Sequence, residues 1–218
     1  MAYKLQVGII GLGNFGLRFG INLMELGHQV VGVDRNGDKI KAARNELTQT
    51  YQADATDAQA LAQMGFSDLT HVLVSLGKSI EASAMISMYL KELKIPNLWV
   101  KAVSRDHEKL LLKLGVDKVI MPDHYAARQL ANRMVTPGFI DYLPFGGNMA
   151  LIEIKVETWA GKTLREIDMT NKYHVQVIAI KRAHEIQFGF IPKADDPLQN
   201  GDILALMGSV DQLSELKP

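Results

Sequence analysis

Three glycines and one acid have the types and spacing to do chemistry in this chain. Gly11, Gly13 and Gly16 fall in the run Gly11-Leu12-Gly13-Asn14-Phe15-Gly16, and Asp34 lies 18 residues beyond the last of them. In such a run the first glycine makes a tight turn. The second leaves the main chain open to a phosphate, and the third lets a helix pack close to a strand. The free N–H groups at the helix start favour an anion. The acid falls near the offset of about 20 residues at which a carboxylate takes ribose hydroxyls. The chemistry is recognition of a nucleotide, with phosphate over the glycines and ribose at the acid. Asp34 favours a free 2′-hydroxyl and disfavours a 2′-phosphate, a preference that the adjacent Arg35 softens.

These residues need a strand before the glycines, a helix after them and a second strand ending at the acid. The pattern supplies all three. Residues 4–10 read as a buried strand, 15–26 as an amphipathic helix and 28–33 as a second strand. Helical patterns follow at 38–47, 57–64, 80–93, 106–114 and 123–135, with strands at 49–53, 71–75, 98–101 and 118–121 between them. Strands separated by helices of this length imply a doubly wound parallel sheet. The pattern changes at Thr136-Pro137-Gly138. Residues 139–147, with Pro144 and two adjacent glycines, read as a connecting segment. Beyond it the chain is strand-rich. Strands are expected at 149–156 and 203–207, with a hairpin of 175–181 and 186–190 around residues 182–185. A helical turn is expected at 163–167 and a short helix at 210–216. The division is thus 1–135 for a Rossmann-like nucleotide-binding domain, 136–147 for a linker and 148–218 for a small α+β lobe.

Bulk properties narrow the class. Lys plus Arg and Asp plus Glu number 24 each, so the formal net charge is zero, which argues against a nucleic-acid binder that relies on positive charge. The chain has no cysteine, so disulfides and thiolate metal sites are excluded. No apolar run approaches the ~20 residues of a membrane span. Met1-Ala2-Tyr3-Lys4 lacks the apolar segment of a signal peptide. A soluble, cytoplasmic protein is expected. The six histidines show no metal-ligand spacing.

The chain resembles the RCK family (regulator of K⁺ conductance), in the form found in KtrA/TrkA-type gating subunits of potassium uptake systems. The residues that carry the resemblance run through nearly the whole chain. They are Val33-Asp34-Arg35-Asn36, Ala53-Asp54-Ala55-Thr56, the stretch from Leu93 to Ala102 and that from Gly115 to Pro122. In the second lobe they are Gly161 to Ile167 and Asn200-Gly201-Asp202-Ile203-Leu204. The resemblance implies a Rossmann-like RCK N-lobe with a crossover helix, followed by a small α+β RCK C-lobe. It implies a regulator that is not an enzyme. Chains of this kind assemble as a homo-octameric ring at the inner face of the membrane, under a K⁺-translocating subunit of the KtrB/TrkH type, with no nucleic-acid partner.

The resemblance also assigns residues. Gly11, Gly13 and Gly16 would lie under the phosphates with Asn14 and Phe15. Asp34 would hold the ribose with Arg35 and Asn36 nearby, and Asp54 and Ala55 would meet the adenine. Ser75, Leu76 and Gly77 would line the same cleft, and Lys101 would meet a phosphate. Asp123 would help bind a divalent cation, Mg²⁺ or Ca²⁺, beside an adenine nucleotide such as ATP, ADP or NAD(H). Two departures matter. Relatives often carry arginine at the position of Asn14, and a neutral amide lacks the charged, bidentate contact that arginine makes with a phosphate. Thr170-Asn171, before Lys172-Tyr173-His174, replace a basic and a small residue in the segment 167–178, where some relatives bind cyclic di-AMP; this weakens that assignment. The competing readings are a small NAD-dependent oxidoreductase and an NAD(H)-sensing regulator. Against the first, the second lobe offers no evident catalytic pair.

Overall fold

A computed structural model describes residues 4–77, 79–135, 138–142 and 148–216. The chain divides after Pro122 into two compact units. In the first, the strands are β1 (Gln6–Ile10), β2 (Gln29–Asp34), β3 (Gln49–Gln52), β4 (His71–Val74), β5 (Asn97–Lys101) and β6 (Lys118–Ile120). They form one parallel sheet in the order β3-β2-β1-β4-β5-β6. The helices between them are α1 (Asn14–Glu25), α2 (Gly37–Ala43), α3 (Ala58–Gln63), α4 (Ile80–Glu92) and α5 (Arg105–Lys113).

The central strands β1, β2 and β4 are near-continuous apolar runs because both faces of the sheet are covered there. Successive side chains point to opposite faces. Ile9 joins Leu12, Val30, Ile40, Ala43, Leu47 and Leu73 in one core cluster. Ile10 joins Val33, Val72, Val74, Phe66, Ile86, Leu90, Leu98 and Leu111 in another. Four helices start on side-chain caps that accept main-chain N–H groups: Asn36 for α2, Asp57 for α3, Ser79 for α4 and Ser104 for α5. The sheet order reverses between β1 and β4. In open parallel sheets, ligands bind outside the carboxyl ends of the strands at such a point.

The second unit contains α6 (Pro122–Val135), β7 (Phe139–Tyr142), β8 (Met149–Lys155), α7 (Leu164–Ile167), α8 (Met169–Tyr173), β9 (Gln176–Lys181), β10 (Gly189–Phe190), β11 (Ile203–Ser209) and α9 (Val210–Ser214). Its antiparallel sheet runs β10-β9-β11-β8-β7. The expected connecting segment therefore begins as a strand: Phe139 pairs with Ile152 and is buried in the core of this lobe. Pro144 and the paired glycines, which suggested a connector, lie outside the described residues. α8 adds a helix to the expected turn at 163–167, and its polar Thr170-Asn171-Lys172 carries no apolar period. The expected hairpin forms, but β10 keeps only Gly189 and Phe190 in the ladder. Ile191 follows in the left-handed region, at φ 58°, and precedes Pro192. Phe190 and Ile191 are both exposed.

One buried acid organises part of this lobe. Asp202 is fully buried. Its carboxylate accepts the Arg182 guanidinium at 2.7 Å, the Gln199 N–H at 3.0 Å and the Ala183 N–H at 3.1 Å. It thus ties the hairpin loop to the turn before β11.

Candidate functional site

β1 ends at Ile10, and Gly11 turns the chain at φ 96°, where an added Cβ would press on the Ser75 carbonyl. Gly13 starts α1 with no side-chain cap, and nothing stands within 4 Å of the place a Cβ would take. The first N–H groups of this 12-residue helix therefore face open space beside a bare main chain, the arrangement that favours a phosphate. At Gly16 a Cβ would collide with the Gly11 carbonyl oxygen. Gly16 thus seats α1 on the turn and does not line the cleft.

A cavity of about 790 Å³ opens at the carboxyl ends of the strands. Its walls include Gly11, Gly13, Asn14 and Phe15 from the turn, Asp34 and Arg35 after β2, and Asp54 and Ala55 after β3. Ser75, Leu76 and Gly77 follow from β4, and Lys101 from the end of β5. The structure thus brings together most of the residues singled out in the sequence, on both sides of the switch point. Asn36 turns away: its side chain accepts the Asp38 and Lys39 N–H groups and caps α2. Asp123 lies in the first turn of α6, in the second unit. Among the described residues, no group of three or more His, Asp or Glu side chains is arranged to hold a metal ion.

The electrostatics of the cleft are settled by short contacts. Asp34 is 7% exposed. Its Oδ2 accepts the Leu12 N–H at 2.8 Å and the Lys39 ammonium at 3.1 Å, and its Oδ1 accepts the Asn36 N–H at 2.9 Å. The acid thus braces the glycine turn against the end of β2. Asp54 Oδ1 accepts both the N–H and the hydroxyl of Thr56, at 2.9 and 2.7 Å. These bonds, with the nearby Arg35 charge, hold its carboxyl below the ordinary carboxylate range. The Lys101 ammonium lies 5.6 Å from the centre of the Phe15 ring.

Lys39, Thr56 and Ser79 also line the cleft and were not anticipated. Ser79 carried a signal, because it immediately precedes a helical pattern. Lys39 carried a weaker one, in the first turn of the helix after the acid. The cleft can hold a ribose at Asp34, phosphates at the Gly13 turn and a flat base against Ala53, Ala55 and other small apolar side chains. The ionisable and hydroxyl groups of its described lining are Asp34, Asp54, Arg35, Lys39, Lys101, Thr56, Ser75 and Ser79.

In the second lobe, the segment 167–178 forms α8 and enters β9. Asp168 and His174 bracket the helix in the left-handed region, at φ 54° and 55°. Thr170, Asn171, Lys172 and His174 are exposed.

A Rossmann-like cleft built to bind a nucleotide, followed by a small antiparallel lobe, defines the class. The TrkA-N domain model matches residues 7–122 and the TrkA-C domain model matches residues 149–218. The chain is 33% identical to the Ktr system potassium uptake protein C of Bacillus subtilis, over 98% of this chain and 96% of that one. It is 31% identical to the Ktr system potassium uptake protein A of Vibrio alginolyticus, over 96% of this chain and 94% of that one. The chain belongs to the TrkA/KtrA family of potassium uptake proteins. Among solved structures, the RCK domain of GsuK shares the fold, with a TM-score of 0.64 at 20% identity over 98% of this chain. This chain spans about half (47%) of that one's length. No helix among the described residues is long and apolar enough to cross a membrane.

Proposed function

We propose that this protein is a nucleotide-binding regulatory subunit of a potassium uptake system and catalyses no reaction of its own. The observation that carries the ligand is the cleft across the switch point. A buried carboxylate, an uncapped helix start and the Lys101 ammonium all line it. That set of groups fits an adenine nucleotide with free ribose hydroxyls: ATP, ADP or NAD(H). Family membership supports the partner, a membrane K⁺-translocating subunit of the KtrB/TrkH type, and with it a cytoplasmic position on the inner membrane face. A homo-octameric ring is the assembly we assign. Nucleotide biases the pore to the extent that it prefers one ring shape over another.

The test is equilibrium binding of ADP, ATP and NADH to the purified chain, with its assembly measured by native mass spectrometry. Nucleotide retained on each chain of a ring-sized assembly is the expected result; an assembly that retains none overturns the reading. Lys101→Met should weaken ADP binding by about tenfold, the lower range for a hydrogen bond to a charged group, and leave adenosine binding unchanged. An equal loss for both ligands would place Lys101 away from the phosphates.

A further inference from the structure

A carboxylate offers about four lone-pair positions, two on each oxygen. At Asp34 three are filled: Leu12 N–H and Lys39 Nζ on Oδ2, and Asn36 N–H on Oδ1. One position on Oδ1 is left. A ribose that donates from both hydroxyls to both oxygens needs one position on each. The two main-chain donors are fixed by the turn and the strand end. Lys39 is the mobile partner: its side chain is 46% exposed, against 6% for that of Asp34, and its ammonium rides on a flexible stem from the first turn of α2. It also lines a second cavity of about 560 Å³ between α1 and α2, together with Asp38. That gives the displaced ammonium an open space to move into, lined by both Asp38 and Arg18.

We infer that Lys39 is a tethered competitor for the ribose site, which a nucleotide must displace before Asp34 can grip both hydroxyls. The inference rests on the reading of the cleft as a nucleotide site. Lys39 thereby sets how strongly the site distinguishes a ribose from a deoxyribose. A 2′-deoxynucleotide uses the one free position on Oδ1 and leaves Lys39 in place, whereas a full diol must expel it.

The test is binding of ADP and 2′-deoxy-ADP to the full chain and to Lys39→Met, which keeps an apolar stem. The dissociation constant of 2′-deoxy-ADP divided by that of ADP should rise about two- to fivefold in the variant, the span a half-exposed ion pair allows. The ratio cancels the general effect of removing one positive charge near the phosphates. Lys39→Gln should behave in the same way. A ratio that is unchanged, or that falls because Lys39 itself contacts the ribose, overturns the inference while ADP binding by the wild type still upholds the cleft. A wild-type chain that binds neither nucleotide overturns both.

Discussion

Asp34→Ala is expected to weaken ADP binding by about a hundredfold and to destabilise the first unit by about 2 kcal/mol. Both effects come from one buried carboxylate. Removing it takes away the hydrogen bonds to the ribose, each worth about 1.5–3 kcal/mol when charge-assisted. It also leaves the buried Leu12 N–H without its acceptor, which costs about 1–3 kcal/mol, while the N–H of the exposed Asn36 can turn to water. The glycine turn that should cradle the phosphates then loses its brace, so the phosphate end of the ligand suffers too. Calorimetric titration and urea unfolding measure the two effects separately. Asp34→Asn keeps an acceptor for one N–H, so it should recover part of the stability and little of the affinity. A stable Asp34→Ala protein with unchanged affinity would remove the ribose from Asp34. This substitution is thus not a silent probe of binding, as a sequence reading of the acid as a ligand group alone would suggest.

Asp202→Ala should cost the second lobe about 3 kcal/mol, through a different mechanism. The carboxylate is fully buried, and it satisfies two main-chain N–H groups as well as Arg182. Breaking a buried pair from one side costs about 3–5 kcal/mol. The Arg182 side chain is 31% exposed and can turn to solvent, which keeps the cost near the lower figure. Trp159 is buried in the same core, so its fluorescence in a Trp99→Phe background reports this lobe alone. The pH dependence follows from the same site. Burial disfavours the charged carboxyl, but the bonds from Gln199 N–H, the Arg182 guanidinium and Ala183 N–H outweigh it and hold the group below its ordinary value. The unfolded chain therefore takes up a proton first as pH falls. The contribution is complete above the ordinary aspartate value of about 4, and is lost as pH drops through the lower folded value. Asp202→Asn should flatten the acid limb of the stability curve; an unchanged limb would mean that other carboxylates set it.

The centre of the six-stranded sheet was legible in the sequence because burial on both faces makes apolar runs of strands such as Gln6–Ile10 and His71–Val74. The glycine turn was legible because backbone conformation restricts residue type: Gly11 at positive φ and Gly16 against a carbonyl leave no room for a side chain. What hid were features decided by packing. β7 was read as a connector because proline and glycines follow it closely, yet Phe139 is held by the core of its own lobe. α8 was hidden because Thr170-Asn171-Lys172 carries no apolar period. Asn36 looked like a ligand residue from its place after the acid, but its short amide reaches back to the α2 N–H groups. Lys39 escaped notice for the opposite reason. Its place in the first turn after the acid is only a weak mark, and its part follows from the 3.1 Å to Asp34.

The two-residue strand β10 leaves this sheet with a short edge. An exposed sheet edge invites a second chain to add a strand, and Phe190 and Ile191 would make such an addition apolar. Ile191 prevents the edge from lengthening. A β-branched residue at φ 58° bends the backbone out of the strand direction, and Pro192 has no N–H to lend to a neighbour. Ile191 still gives its N–H to the Ile178 carbonyl, so the edge closes there with one last bond and offers an added chain only a short row of main-chain groups.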